Sequence, residues 1–540
     1  MPRWGVGLAA VSLIVVMTVL LLVEAWGDSL TADESFYIRA GTCALTTRIG
    51  DLEPSSPIGF KVIAGASTVL LGSGASRPCG TTVTYASADL APFYSGDARS
   101  LHQLILLARL PVILMSLLLA GIVFLWARAL NGNLAGLVAL AIVAFEPSVL
   151  GHGHLVTPDL PVTLGITGCL AAYWRWTATG HRRWLIASGL ALGLAMLARV
   201  SALELIPVLV LVGLAIHDGS VINRLRRVAG AVGIVLLAAW AVVCVAYLPF
   251  RYLLPGSSLP APLSWVIPPA WVYELRFQLQ HVRLGHPTYL NGQAYSSHAP
   301  WYYFFETIGL KTTIGLLVLI VIAAIVAARW RNRHELLFLW LPAALVVLVP
   351  TTGGLDLGIR YVLPIFPLLA IAAGALVKVD LPRFGLRLAV TSLLVLASAS
   401  SSLAHAPLHL GYFNELAGRT PERFLSDSNL DWGQDLWRLA DWWTAHGRPT
   451  LSLAVFNLLP ASSYGIDGRD VQPSREPVVG LLAASLTRIT ISGDAYPDVR
   501  VAPYFRLERT APFARVGSSI LVFQMNGELA SATSRRRVSP

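Results

Sequence analysis

Long apolar runs constrain this 540-residue chain more than any other feature. A helix needs about 20 predominantly apolar residues to cross the hydrocarbon of a bilayer. Runs of that kind predict helices at residues 6–26, 101–126, 133–150, 159–178, 184–199, 201–217, 228–248, 306–328, 335–350, 361–378 and 386–404. The reading is mostly α, a polytopic membrane protein with about 11 transmembrane helices. The pair 184–199 and 201–217 could be one run, but Arg199, Ser201 and Pro207 favour a break there. Composition agrees, because 13% of the residues are charged against about 25% in an ordinary soluble domain.

The net charge of +10 does not point to nucleic acid. Its cations are dispersed in short clusters between apolar runs, such as His181-Arg182-Arg183 and Arg224-Arg226-Arg227. Alternate connections carry these clusters, which marks their side as cytoplasmic. An odd number of spans then puts the N-terminus in the cytoplasm and the C-terminus outside it. The long segments lie on the outer side: a first loop at 27–100, a second at 249–305, and the tail 405–540. In the tail, RFLSDSNLDWGQDLWRLADWWTAHG reads as a capped amphipathic helix, and LSLAVFN and GSSILVF as strands. That pattern predicts a small C-terminal α/β domain outside the cytoplasm. The first apolar run lacks a small-residue cleavage site and reads as a retained helix. Of the four cysteines, Cys43 and Cys79 share the first outer loop and could pair if it faces an oxidising compartment.

Candidate chemistry gathers on the outer side. Asp33 and Glu34 follow the first run in TADESFYIRAG, where a helix end meeting water would also tolerate acids. The strip HGHLVTPDLP brings His152, His154 and Asp159 to the same face. His152 and His154 have H-x-H spacing, which suits substrate contact or a divalent metal, but no third ligand is evident. Lys61, in SSPIGFKVIAG, sits in a stretch expected to lie along the membrane surface, where it either binds an anion or snorkels to the headgroups. Arg360 in LGIRYVLP and Arg109 in LARLP add cations on this side, as do Arg199, Arg251 and Lys311. Cations that break the positive-inside pattern invite an anionic partner such as a lipid phosphate. Acids can take a proton from an attacking hydroxyl, and cations can stabilise a departing phosphate. No HExxH, GxSxG, Walker or dinucleotide motif occurs, so soluble nucleotide donors are not supported. A transporter would show paired halves and ionisable residues at mid-membrane, and no internal repeat is seen.

The pieces ADESFY, SPIGFK, LARLPVILMSLLLAGIVFLWARALNG, AFEPSVLGHGHLVTPDLPVTL, GLALGLAMLARVSALELIP, HPTYLNGQAYSSHAPWYYF with Lys311, and GIRYVLPIFP occur in that order. In that order and spacing the chain resembles the lipid-carrier-dependent glycosyltransferases of the GT-C fold, family 39. That group includes protein O-mannosyltransferases and the aminoarabinose transferases of lipid A. The tail pieces GYFNELAG and SDSNLDWGQDL resemble its bacterial members. The resemblance implies a GT-C transmembrane domain at 1–404 followed by the outer domain at 405–540. It implies an inverting transfer from a polyprenyl-phosphate sugar to a lipid, glycan or protein acceptor at a bacterial plasma membrane, with no cofactor required beyond a divalent metal left open. Carried over residue by residue, Asp33 would be the general base with Glu34 its neighbour, and Asp159 the second acid on the acceptor side. Lys61 would bind the donor phosphate, with Arg360 and Tyr361 assisting, and Arg109 is a further candidate for it as one of the outer cations. The chain departs from the group where Ser56-Pro57 replaces a double proline before the lysine, and in the Gly/Ser-rich stretch between Gly72 and Ser100. The competing readings are a ligase moving a whole lipid-linked glycan, and a non-catalytic lipid-phosphate binder or flippase.

Overall fold

The computed structural model describes residues 3–46, 55–71, 97–250, 261–329, 333–378, 384–471, 477–491, 507 and 510–528. All the apolar runs are helical. The helices are α1 (Arg3–Gly27), α2 (Ala32–Thr46), α3 (Ile58–Leu70), α4 (Ala98–Asn131), α5 (Asn133–Phe145), α6 (Pro147–Gly153), α7 (Asp159–Thr179), α8 (Arg183–Ala198), α9 (Leu205–Ile216) and α10 (Val221–Tyr247). They continue as α11 (Ala261–Val266), α12 (Pro269–Leu284), α13 (Tyr303–Lys311), α14 (Ile314–Arg329), α15 (Arg333–Leu348), α16 (Ile365–Gly374) and α17 (Phe384–Leu403). Among the described residues, four helices are long and apolar enough to cross a bilayer alone, α1, α4, α10 and α17 in substance. Two bent pairs, α5 with α6 and α13 with α14, bring that number to six.

Those bends correct two expected straight helices. The run 133–150 turns by 60° between α5 and α6. Pro147 has no N–H and pushes Glu146 into extended backbone, at φ −73° and ψ 117°. The run 306–328 turns by 119°, with Thr312 extended at φ −99° and ψ 141°. Thr313 Oγ1 then accepts from Leu316 N at 3.4 Å and starts α14. The break at Arg199 is present, with its backbone extended between α8 and a short 3₁₀ turn that leads into α9.

The stretch around Lys61 is the helix α3, but it does not lie loosely on a surface. It packs against α2, α4 and α8, and Lys61 is 1% exposed, so its ammonium does not snorkel. Glycine allows this crossing. A methyl on Gly41 would stand 2.6 Å from the carbonyl carbon of Lys61, so only a residue without Cβ lets the two backbones meet. Cys43 on α2 is in a disulfide; Cys79, its expected partner, lies outside the described residues.

Beyond α17 the chain forms a five-stranded mixed sheet. Strands β3 (Leu451–Ala454), β4 (Arg469–Asp470), β5 (Val478–Ser485), β6 (Ala514–Val516) and β7 (Ile520–Glu528) follow a separate hairpin of β1 (Thr288–Leu290) and β2 (Gln293–Tyr295). The order is β4-β3-β5-β7-β6; β3 runs parallel to β4 and β5, while β7 is antiparallel to both of its neighbours. The two expected strands are β3 and β7. The expected amphipathic helix is shorter, α18 (Leu436–Ala445), with α19 (Leu486–Thr490) after β5. The stretch before α18 cannot be helical, because Gly433 holds φ 93° and the side chains of Asp431 and Asp435 are taken by Thr487 and by Ser518 and Ser519.

That irregular stretch docks the sheet on the helices. Trp432 O accepts from Ala32 N at 3.0 Å, and Gln434 O from Ser29 N at 2.8 Å. Lys311 Nζ, at the α13–α14 bend, donates to Leu410 O at 2.9 Å and to Asn429 O at 2.5 Å. Asn414 reaches back to the same bend through Gly309 O and Thr312 O. The two tail motifs singled out in the sequence are therefore docking strips.

Candidate active site

Two aspartate–arginine pairs flank one aromatic ring. Asp33 stands in the first turn of α2 and accepts from Arg360 Nη1 at 2.8 Å. Asp159 begins α7, and its Oδ1 lies 3.0 Å from Arg199 Nη1. Tyr361 lies between them, with the Arg199 guanidinium 4.3 Å and that of Arg360 5.5 Å from its ring centre. The local backbone explains the placement. Gly358, at φ 89°, turns the chain into a single 3₁₀ turn over Ile359–Val362, and Arg360 Nε is fixed on Leu357 O at 3.1 Å. That leaves Nη2 without a hydrogen bond to a described residue.

Both arginines line a small, partly open recess of about 40 Å³. Its walls are apolar, including Val162, Ile166, Val208, Leu345 and Pro364, and Glu204 also lines it. Two guanidinium groups beside apolar walls suit an anion.

Several buried polar atoms of the candidate residues have no hydrogen bond among the described residues: both oxygens of Asp159, Nδ1 of His152 and, on α3, Nζ of Lys61. Asp159 has only the ion pair to Arg199. Lys61 has only Glu274, on α12, at 3.6 Å. Glu274 is itself bonded to the Tyr247 hydroxyl, which accepts from Ile58 N at 3.1 Å. Unsatisfied groups this deeply buried are costly, and they mark a place built to receive polar atoms from elsewhere. Asp427 adds a third acid: burial pushes its carboxyl up to about 6, Arg360 pulls it back and Asp33 adds to the rise.

Other expected members fall outside this constellation. Arg109 spends all five of its N–H groups within the fold, on Glu34 Oε1 and Oε2 and on the carbonyls of Ala25, Asp28 and Ser29. In this arrangement none is left for a phosphate. Glu34 is also fully engaged, accepting from Arg109, Thr31 N, Thr31 Oγ1 and Val156 N. Adjacent in sequence, Asp33 and Glu34 have different partners, and Glu34 braces the α1–α2 turn.

His152 and His154 also separate. His152 makes a T-shaped contact with the Trp432 ring, centroids 6.1 Å apart. His154 turns to the end of α1, where Nε2 lies 3.0 Å from Asp28 Oδ2 and Nδ1 lies 3.1 Å from Leu150 O. Glu24, Asp28 and His154 each offer an atom within 4.8 Å of the others, a donor set that suits a divalent metal. A cation is already present there, because Arg438 pairs with Asp28 at 2.7 Å, and His409 is bonded to Glu24.

Sequence reasoning noted Arg199 only as one cation among several, and it missed Glu274, Trp432, His281 and His286. His281 and His286, with rings 5.9 Å apart, lie close enough to feel the charges of Asp33 and Arg360. The phrase HPTYLNGQAYSSHAP was the available signal for His286.

Residues 101–246 match the family model described as dolichyl-phosphate-mannose-protein mannosyltransferase. That span contains Asp159, Arg199 and His152, and not Asp33, Lys61 or Arg360. ArnT from Cupriavidus metallidurans bound to undecaprenyl phosphate aligns at 14% identity over 95% of this chain and 97% of that one, with a TM-score of 0.49. The Pmt1-Pmt2 protein O-mannosyltransferase complex of S. cerevisiae bound to the sugar donor aligns at 17% identity over 56% and 42%, with a TM-score of 0.37. The Archaeoglobus fulgidus oligosaccharyltransferase in the apo form aligns at 11% identity over 85% and 63%, with a TM-score of 0.48. No curated protein matches the chain.

Proposed function

We propose that the chain is a membrane glycosyltransferase of the GT-C type. It moves a sugar from a polyprenyl phosphate to an acceptor hydroxyl on the outer face, with inversion. The observation that carries this reading is the pair of aspartate–arginine couples flanking Tyr361, beside Asp159 oxygens and a His152 Nδ1 that make no hydrogen bond to a described residue. The family-model match over 101–246 supports it.

In the step proposed, Asp33 takes the proton of the acceptor hydroxyl as its oxygen bonds to the anomeric carbon. The bond from that carbon to the phosphate oxygen breaks, and its electron pair leaves on the polyprenyl phosphate. Arg360, through Nη2, and Lys61 hold the phosphate and stabilise the charge it gains. Arg199 and Tyr361 line the same small recess as Arg360. Asp159 and His152 face the acceptor.

Lys61→Ala and Arg360→Ala test the phosphate assignment. A contact that strengthens in a shielded transition state contributes about 3 kcal/mol. Each variant should therefore lose at least about tenfold in turnover, while eluting as a folded protein. Normal rates in both variants, at limiting and saturating donor, would remove these residues from the phosphate site.

The orientation proposed places the N-terminus in the cytoplasm and residues 405–540 outside the plasma membrane. In intact cells a cysteine placed at Arg226 should be protected from an impermeant thiol reagent, and one at Ser462 should react. The opposite labelling pattern would invert the topology.

A further inference from the structure

We propose that Trp432 is a positioning residue for the Arg360–Asp33 pair, so that the site is completed by the C-terminal segment and not by the membrane helices alone. This rests on the function proposed above. The Arg360 guanidinium lies 4.2 Å from the Trp432 ring centre, closer than its 5.5 Å to Tyr361. Arg360 is 6% exposed and Trp432 2%. A guanidinium so shielded from water needs an electron-rich face to replace hydration, and an indole is the best such face among side chains.

The same residue holds the other member of the pair through its backbone. Trp432 O accepts from Ala32 N at 3.0 Å, and Ala32 immediately precedes Asp33. Ser29 ties the strip down further. Its Oγ donates to Gly433 O at 2.7 Å and accepts from Leu436 N at 3.0 Å. The indole is aimed by its own chain: Trp432 N donates to Gln434 Oε1 at 2.8 Å. Gly433 follows at φ 93°, and a methyl there would stand 2.6 Å from Phe456 O. The ring thus fixes Arg360, and the carbonyl fixes the start of the helix that bears Asp33. The same ring also meets His152 in a T-shaped contact, which joins the acceptor side to it.

The ring effect separates from mere filling of space. Phenylalanine keeps an aromatic face at position 432, and leucine fills much of the volume without one. Turnover and donor KM are measured for Trp432→Phe, Trp432→Leu and each of them combined with Arg360→Met, alongside elution profile and thermal midpoint. Binding of a polyprenyl phosphate without sugar is titrated in parallel. The expected result is that Trp432→Leu loses about tenfold or more in kcat while Trp432→Phe stays within about threefold, the two unfolding at similar temperatures. In the Arg360→Met background the difference between Phe and Leu should vanish, in turnover or in phosphate binding. Equal kcat for the Leu and Phe variants, with wild-type transfer intact, would overturn the positioning role and leave the function standing. A difference that persists without Arg360 would overturn it too, by showing that the indole acts through packing. Wild-type protein that neither binds the phosphate nor consumes donor would take down the function, and this inference with it.

Discussion

Asp33→Asn should lower sugar transfer by about two to four orders of magnitude, the usual contribution of a positioned base. The acceptor hydroxyl is a weak nucleophile, and its proton must leave as the new bond forms. Asparagine keeps the size and polarity of Asp33 and its ability to accept from Arg360 Nη1, the contact seen at 2.8 Å. It removes the basicity. Donor affinity should therefore survive while turnover falls, a pattern read by measuring kcat and donor binding separately. A parallel loss of donor binding would mean that Asp33 serves mainly to hold Arg360. Near-wild-type turnover would leave Asp159, held 3.0 Å from Arg199, as the candidate base.

Glu34 and Arg109 should fail in a different way. Both are fully buried, and each satisfies the other through two contacts, at 2.7 and 3.0 Å. Removing one partner of such a pair strands a charge and costs about 3–5 kcal/mol. Much of a domain's net stability is of that size. Arg109→Met and Glu34→Gln should thus reduce the yield of folded protein and lower the thermal midpoint, with Arg109→Met the worse because it also orphans three carbonyls. Any protein that does fold should keep near-normal donor affinity. Stable Arg109→Met protein with weakened donor binding would restore Arg109 to the phosphate site.

The contrast between these neighbours shows what was legible. Length and apolarity announced the helices of the eleven apolar runs, because the bilayer demands continuous apolar stretches, and left α2 and α12 unannounced. The bend at Pro147 could be anticipated from a missing N–H. The bend between Thr312 and Thr313 could not, because the apolar pattern runs through it. The acids and cations of the outer side were readable as a set, but their pairing was not. Arg109 and Arg360 both look like stray outer cations. Three-dimensional packing gives one to Glu34 and five closed hydrogen bonds, and the other to Asp33 with donors to spare. Trp432 was visible only as part of a motif, since its value lies in an arginine 72 positions earlier in the chain. Lys61 was found in sequence, but its counter-ion Glu274 lies on a helix of the second outer loop that carries no apolar signal.

Donor consumption tests the central claim most directly. Purified wild-type protein and Asp33→Asn are each incubated with a panel of polyprenyl-phosphate sugars and membrane extract, and the lipid-linked sugar is followed by chromatography. The proposed function predicts that wild-type protein converts at least one donor to free polyprenyl phosphate with its sugar on an acceptor, and that Asp33→Asn leaves that donor intact. Equal conversion by both proteins, or none by the wild type with any donor in the panel, would contradict it.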